Sequence, residues 1–281
     1  MVALKANFLA QDSDLIVYSD GPKSLADQDS VNQVREYIKT VRGFNSVTLI
    51  DREKNLGLAN SIITGVSEQL ANHGRVIVVE DDLVTSPYFL QYMNEALDFY
   101  ANDSRVFSIH GYTYPLKGEL PETYFIRGAS CWGWATWARA WAFFEKDAQS
   151  LYDQLKQKNL IHDFDFRGAY PYSKMLLDHV AGKVNSWAIR WLASAYLQGG
   201  LTLYPGRSLV QNIGFDQSGT HCIETDLFKV SLTLSPVVVG RVAVEHSDTV
   251  YEKFRDYFLG MKPPFFRRCL NFSKRFFKKY I

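Results

Sequence analysis

Arg75-Val-Ile-Val-Val79, followed at once by Glu80-Asp81-Asp82 and then by Ser86-Pro87, is the stretch on which the fold turns. A short apolar run rich in β-branched residues and bounded by polar ones predicts a strand covered by helices on both faces. Pro87, in the first helical position, then opens a helix to about Tyr100. Comparable strands lie outward on either side. Leu15-Ile-Val-Tyr18 ends at Ser19-Asp20-Gly21-Pro22, Val47-Thr-Leu-Ile50 ends at Asp51, and Val106-Phe-Ser-Ile109 follows the helix. Between them, Val31, Val34, Tyr37, Ile38 and Val41, capped by Ser30, recur at helical spacing. Leu58, Ile62, Val66 and Leu70 do the same, and residues 3–10 predict a short opening helix. Strands that alternate with helices predict an α/β fold with a doubly wound, mainly parallel sheet flanked by helices.

The second half is less regular. Thr123–Arg127, Leu201–Tyr204 and Val237–Val244 predict strands. Helices are expected at 133–145, 148–158, 171–181, 187–198 and 247–259. No repeat or low-complexity linker divides the chain, so residues 1–259 read as one domain and 260–281 as a tail.

Composition excludes several classes. The 281 residues are 47% hydrophobic and 22% charged, which is globular rather than disordered or fibrous. Cys131, Cys222 and Cys269 form no CxxC pair, so neither a disulfide framework nor structural zinc is expected and a reducing compartment fits. Residues 1–11 lack the apolar run of a signal peptide, and no run approaches the ~20 apolar residues of a membrane span. The net charge of +1 hides an asymmetry: the tail carries seven Lys/Arg and no Asp/Glu. Its Phe266, Leu270, Phe276 and Phe277 alternate with Arg267, Arg268, Lys274 and Lys278, the pattern of a basic amphipathic helix suited to an anionic membrane surface. No nucleic-acid motif accompanies that charge.

Asp20, Asp51 and Glu80-Asp81-Asp82 each follow a predicted strand. In an open α/β sheet the carboxyl ends of the strands face the ligand crevice. Carboxylates gathered there repel one another, and a hard cation such as Mg²⁺ or Mn²⁺ bridging a diphosphate relieves the repulsion. Helix capping is the competing reading, but Ser86 and Pro87 already start the next helix. Gly57, at a helix N-terminus, fits close approach of a phosphate; no P-loop or GxGxxG is present. The cluster Trp132, Trp134, Trp137 and Trp141 reads first as core, with a sugar-stacking platform as the alternative. Trp187, Arg190 and Trp191 divide in the same way, Arg190 between a phosphate contact and a structural ion pair.

In order along the chain, five segments resemble the GT-A glycosyltransferases. They are Ser19-Asp20-Gly21, Asn55-Leu-Gly-Leu-Ala-Asn60, Val78-Val-Glu-Asp-Asp-Leu83 with Ser86-Pro-Tyr-Phe89, Cys131-Trp-Gly-Trp-Ala-Thr-Trp137, and Asn212-Ile-Gly-Phe-Asp216 with Gly219-Thr-His221. The nearest likeness is to bacterial family-2-like enzymes related to the N-acetylglucosaminyltransferase I group, over about residues 3 to 225. The resemblance implies a GT-A fold in which Asp82 coordinates Mn²⁺ or Mg²⁺ and Glu80 and Asp81 contact ribose and the sugar or base. It also implies that Asp20 binds the base and that the loop Asp216–His221 closes over the diphosphate. Thr220 would lie near a phosphate oxygen, and His221 is either a diphosphate contact or structural. A nucleotide-sugar donor, foremost a UDP-sugar, would be transferred with inversion to a surface glycan or glycolipid on the cytoplasmic membrane face.

The family places a strand before the first helix, and this sequence starts at the helix, so either the reading frame is truncated or the sheet lacks one strand. Relatives often carry an acid just after the first Trp of the segment matching Ser186-Trp-Ala-Ile-Arg-Trp191, where this chain has Ala188. The catalytic base therefore stays open between Asp178 and Asp216. Two other functions are compatible with the pattern: a nucleotidyltransferase, which would be expected to carry a Gly-rich phosphate loop near its first strand, and a non-catalytic glycosyltransferase-like binding protein.

Overall fold

The structure is a computed structural model that describes residues 1–215 and 225–261. The first half follows the expected alternation: α1 (Val2–Lys5), β1 (Asp14–Ser19), α2 (Gln28–Thr40), β2 (Ser46–Asp51), α3 (Leu58–His73), β3 (Arg75–Val78), β4 (Leu83–Thr85), α4 (Phe89–Phe99) and β5 (Val106–His110). Then come β6 (Thr123–Arg127), β7 (Trp134–Trp137), α5 (Ala138–Trp141), α6 (Ala148–Gln157), α7 (Ile161–Phe164), α8 (Tyr172–Val180), α9 (Trp187–Leu197), β8 (Leu201–Pro205), β9 (Val210–Asn212) and α10 (Asp248–Met261). Among the described residues no helix is long and apolar enough to cross a membrane.

The fold is mixed α/β, and its sheet is not mainly parallel. β1 and β2 form a parallel pair of their own. The central sheet has the order β3-β7-β5-β8-β6, in which only β5 and β8 are parallel. β7 runs antiparallel to both β3 and β5, and β6 antiparallel to β8. β7 is the reason the expectation fails. Residues 133–145 carry helix-compatible apolar residues throughout, yet Trp134–Trp137 is an extended, fully buried strand that turns directly into α5. No Gly or Pro punctuates that switch, so periodicity reads it as one helix.

Two further expectations are corrected. Residues 237–244 pack against the core as irregular chain, because Gly240 at φ 86° breaks the extended run. Ser30 does not cap α2. A 3₁₀ turn at Leu25–Asp27 precedes it, with Ser24 and Asp27 forming a capping box. Ser86 does precede α4: its Oγ accepts the Tyr88 amide and donates to the Thr233 carbonyl at 2.7 Å. α10 continues past the expected boundary to Met261, and the basic residues 262–281 lie outside the described residues.

Register defines two opposite edges. Val78, Trp134 and His110 pair across neighbouring strands, and Tyr204 and Pro205 end β8 in the same direction. That front edge is where the acidic triplet emerges. Arg75, Trp137, Val106, Leu201 and Arg127 occupy the back edge.

The tryptophans divide as their burial dictates. Trp134, Trp141, Trp187 and Trp191 form one core with α3, with Trp134–Trp187 centroids 5.3 Å apart and Trp141–Trp191 5.0 Å. Trp191 is fully buried, and its indole N–H has no partner among the described residues. Trp191→Ala should lower the free energy of unfolding by roughly 3–5 kcal/mol in urea titration. Trp191→Phe, which keeps most of the volume and removes the unpartnered N–H, should lose less than half as much.

Candidate functional site

β3 delivers the triplet by ending. Val79 leaves the ladder, and a turn closed by the Leu83 amide on the Glu80 carbonyl redirects the chain into β4. β4 pairs antiparallel with β9, placing Leu83 opposite Asn212. The ladder runs one bond further, from the Ile213 amide to the Asp82 carbonyl at 2.8 Å. Asn212 Nδ2 donates to Asp82 Oδ2 at 3.1 Å, and Asn212 Oδ1 accepts the Gly214 amide at 2.8 Å. A Cβ on Gly214 would stand 2.6 Å from Asp82 Oδ2, so a side chain there would displace the Asp82 carboxylate. Phe215 continues onto the Trp132 ring, 5.5 Å between centroids.

Burial and mutual repulsion set the electrostatics. Glu80 is half-buried. Desolvation, then the fields of Asp82 and Asp81, push its carboxyl up to about 7. Asp82 is also raised by burial, with the Asn212 hydrogen bond opposing and Asp81 adding to the rise. Among the described residues no Lys, Arg or His forms an ion pair with any of the three. Cys131 shares this field: burial first, then Glu80 and Asp82, raise its thiol and keep it protonated. His110 is completely buried, its Nε2 accepts the Trp132 amide at 3.1 Å, and burial lowers it to about 3. It is therefore a neutral ring that anchors Trp132 beside the triplet.

These residues fit a hard cation. Raised carboxylates without an ion-pair partner among the described residues favour a positive charge, and the Asn212 bond engages Oδ2 of Asp82 rather than Oδ1. Among the described residues no group of three or more His, Cys, Asp or Glu converges on a metal-sized site. A cation held here would take its remaining ligands from substrate or water.

The other expected site residues are distributed differently. Asp20 is committed to its own loop: Oδ1 accepts from Arg52 Nη1 at 3.2 Å and Oδ2 from the Leu56 amide at 3.1 Å. Arg52 in turn binds Ser61 and Thr64 on α3. Asp51 ends β2 opposite Ser19. No hydrogen bond or ion pair joins Asp20 or Asp51 to the triplet among the described residues. Gly57 starts α3 at φ 73°, and no atom lies within 4 Å of where a Cβ would be. Its glycine answers to backbone conformation, with open space on the side-chain face. Asp178, on α8, is gripped by Lys174 and by Lys183 at 3.1 Å, and those hydrogen bonds hold its carboxyl below the usual range. Arg190 is buried and donates to the Ser186 and Lys146 carbonyls and to Asn185 Oδ1. Its partners are neutral, so it is a structural residue without the expected ion pair. Asp216, Thr220 and His221 lie outside the described residues.

Sequence reasoning did not single out Asn212, Gly214 or His110 as site residues. The available signal was Asn-x-Gly directly after a short apolar run for the first two, and a strand-terminal histidine for the third. A scan against family models and a search of curated proteins both find no match to this chain.

Glu80 gives the site a pH signature. Its value is raised in the fold from the ordinary 4.5, so the unfolded chain ionises first and stability falls as pH rises from about 4.5 to about 7. In metal-free protein, the gain in Tm from Glu80→Gln should be small at pH 4.5 and grow to a plateau above pH 7. A pH-independent gain in scanning calorimetry would contradict this placement of Glu80.

Proposed function

We propose that the protein is a metal-dependent glycosyltransferase of GT-A type, moving a sugar from a nucleotide-sugar donor to a glycan or glycolipid acceptor. The observation that carries this reading is the unpaired acidic triplet at the end of β3, with Asp82 oriented by Asn212 and Trp132 set beside it. It is joined by the ordered resemblance of five motifs along the chain.

The residues divide the work as follows. Asp82 presents Oδ1 for Mn²⁺ or Mg²⁺, while Asn212 keeps Oδ2 turned away. Bound there, the cation would neutralise charge developing on the departing nucleoside diphosphate. Glu80 and Asp81 hold the ribose and the sugar or base by accepting hydroxyl hydrogen bonds. Trp132 and Phe215 supply aromatic faces against which a sugar ring can pack and exclude water, with the buried Tyr112 ring supporting Trp132 from behind. An inverting transfer needs a base to take the proton from the acceptor hydroxyl. Asp178 suits that task poorly, because its two lysines hold it in the ionised, weakly basic form. Asp216 follows Phe215, whose ring touches Trp132, and is the candidate we retain.

Donor turnover should appear in a panel of UDP-, GDP- and dTDP-sugars with Mn²⁺ and vanish with EDTA. Asp82→Asn keeps the volume and an acceptor for Asn212 while removing the charge. It should lower that turnover at least ~100-fold with little change in Tm. Metal-dependent donor binding without turnover would leave a non-catalytic glycosyltransferase-like protein, and no binding to any donor would end the proposal.

The basic, aromatic segment 262–281 supports work at an anionic membrane surface. The full chain should sediment with phosphatidylglycerol vesicles at low salt. Release by salt and by truncation after Met261 checks the role of the tail.

A further inference from the structure

We infer that the protein carries a second binding site, for a small oxyanion, at the back edge of the central sheet, opposite the acidic triplet. A cavity of about 160 Å³ lies where the end of β6 meets α7, α9 and α10, and Arg127, Arg167, His246, Tyr196, Tyr251 and Phe166 contribute to its walls. Arg127 pairs with Leu201 at the start of β8, whereas the triplet follows Val78 at the other end of the ladder. The inference does not rest on the proposed transferase activity.

Charge balance within the cavity selects Arg127. Asp163 lies 4.0 Å from Arg167, which also binds Glu252. Asp248 lies 3.9 Å from His246 Nε2. Asp163 thus has a cationic neighbour, whereas Asp248 faces the Nε2 side of the His246 ring, a hydrogen-bond donor and not a fixed charge. Arg127 has no carboxylate partner among the described residues: its Nε donates to the Tyr196 carbonyl at 3.0 Å and its guanidinium carbon lies 4.1 Å from the Tyr196 ring centroid. Stacking and the Nε bond fix the plane of the guanidinium. Both terminal nitrogens are left as a preset fork, the geometry that matches carboxylate or phosphate oxygens.

Three neighbours reinforce the preference for an anion. The Arg127 amide donates to His246 Nδ1 at 3.2 Å, so the neutral ring carries its proton on Nε2 as a second donor. Asp248 both begins α10 and lines the cavity, which brings the positive end of a 14-residue helix dipole to the site. Phe166 and Arg167 stand at φ 50° and 52°, two consecutive side-chain-bearing residues in the left-handed region. That conformation is unfavourable for L-residues and persists where the surroundings over-determine it. Here it sets Phe166 flat on Tyr251, 4.8 Å and 13° apart, and brings Arg167 over the same ring. The volume is enough for a phosphate or small carboxylate group.

The full chain should be titrated with sodium phosphate and, separately, sodium acetate at constant ionic strength against sodium chloride, following Tm and heat. At least one anion should bind saturably, with the apparent affinity reduced at least tenfold in Arg127→Gln and unchanged in Asp82→Asn. A response to phosphate alone assigns the site to phosphoryl groups, and a response to acetate assigns it to carboxylates. Should Arg127→Gln fail to fold, Arg127→Lys keeps the charge and the stem but not the fork, and the same loss is expected. Absence of saturable binding of either anion to the unmodified chain overturns the inference, as does equal binding by a folded Arg127 variant.

Discussion

Three adjacent carboxylates cannot share a half-buried turn without something to hold them there. In this protein the restraint is the β4–β9 ladder. Its last bond, from the Ile213 amide to the Asp82 carbonyl, fixes the main chain of the triplet, and Asn212 fixes the side chain of Asp82. The absence of a Cβ on residue 214 leaves room for the Asp82 carboxylate there. Relaxing any of these would let the carboxylates swing into water, where their repulsion is screened. The upward shifts of the Glu80 and Asp82 carboxyls, from burial first and from their acidic neighbours after it, are thus consequences of holding them in this turn. Confinement of like charges is the state from which a cation is bound most strongly.

The same ladder explains why the first half of the chain was legible and the site only partly so. Strands β1, β2, β3 and β5 announce themselves as apolar runs ending in polar residues, and helices α2 to α4 as 3.6-residue patterns. The triplet was readable because three acids after a strand have few structural uses. Asn212 was not, since its role depends on a strand of three residues pairing with another of three, more than a hundred positions away. β7 was misread for a related reason. Trp-Ala-Thr-Trp carries no alternation when both faces are buried, and the order β3-β7-β5 can be known only once its partners are known. Asp20, a base contact by resemblance, has a local use that the sequence did not disclose: its oxygens anchor the 52–56 loop.

The aromatic residues show how burial separates structure from function within one segment. Trp134 and Trp137 point into cores on either side of the sheet and are sealed there. Trp132, two residues earlier, has left the strand. It is held by His110 through its backbone and is surrounded by Tyr112, Tyr114, Phe215 and Phe228 at the front edge. A completely buried histidine, lowered to about 3, would be an expensive way to bind one amide if no more than packing were needed. Its neutral ring offers an acceptor that protonation cannot remove in the working pH range. The position of Trp132 beside the triplet is therefore insensitive to pH, while Glu80 is not.

The two edges of the central sheet carry opposite electrostatic character for one geometric reason. The strands run in both directions, so the front edge receives the ends of β3, β5 and β8 with the starts of β7 and β6, and the back edge the reverse. At the front, β3 ends in three acids with no basic partner among the described residues. At the back, β6 ends in Arg127 with no acidic one. A largely buried sheet lies between them, built from strands whose buried side chains are apolar or uncharged. Charges at its two ends cannot migrate toward each other or be neutralised by rearrangement of the core. In the proposed function the compensating charge at the front is a cation, and in the inferred second site that at the back is an oxyanion.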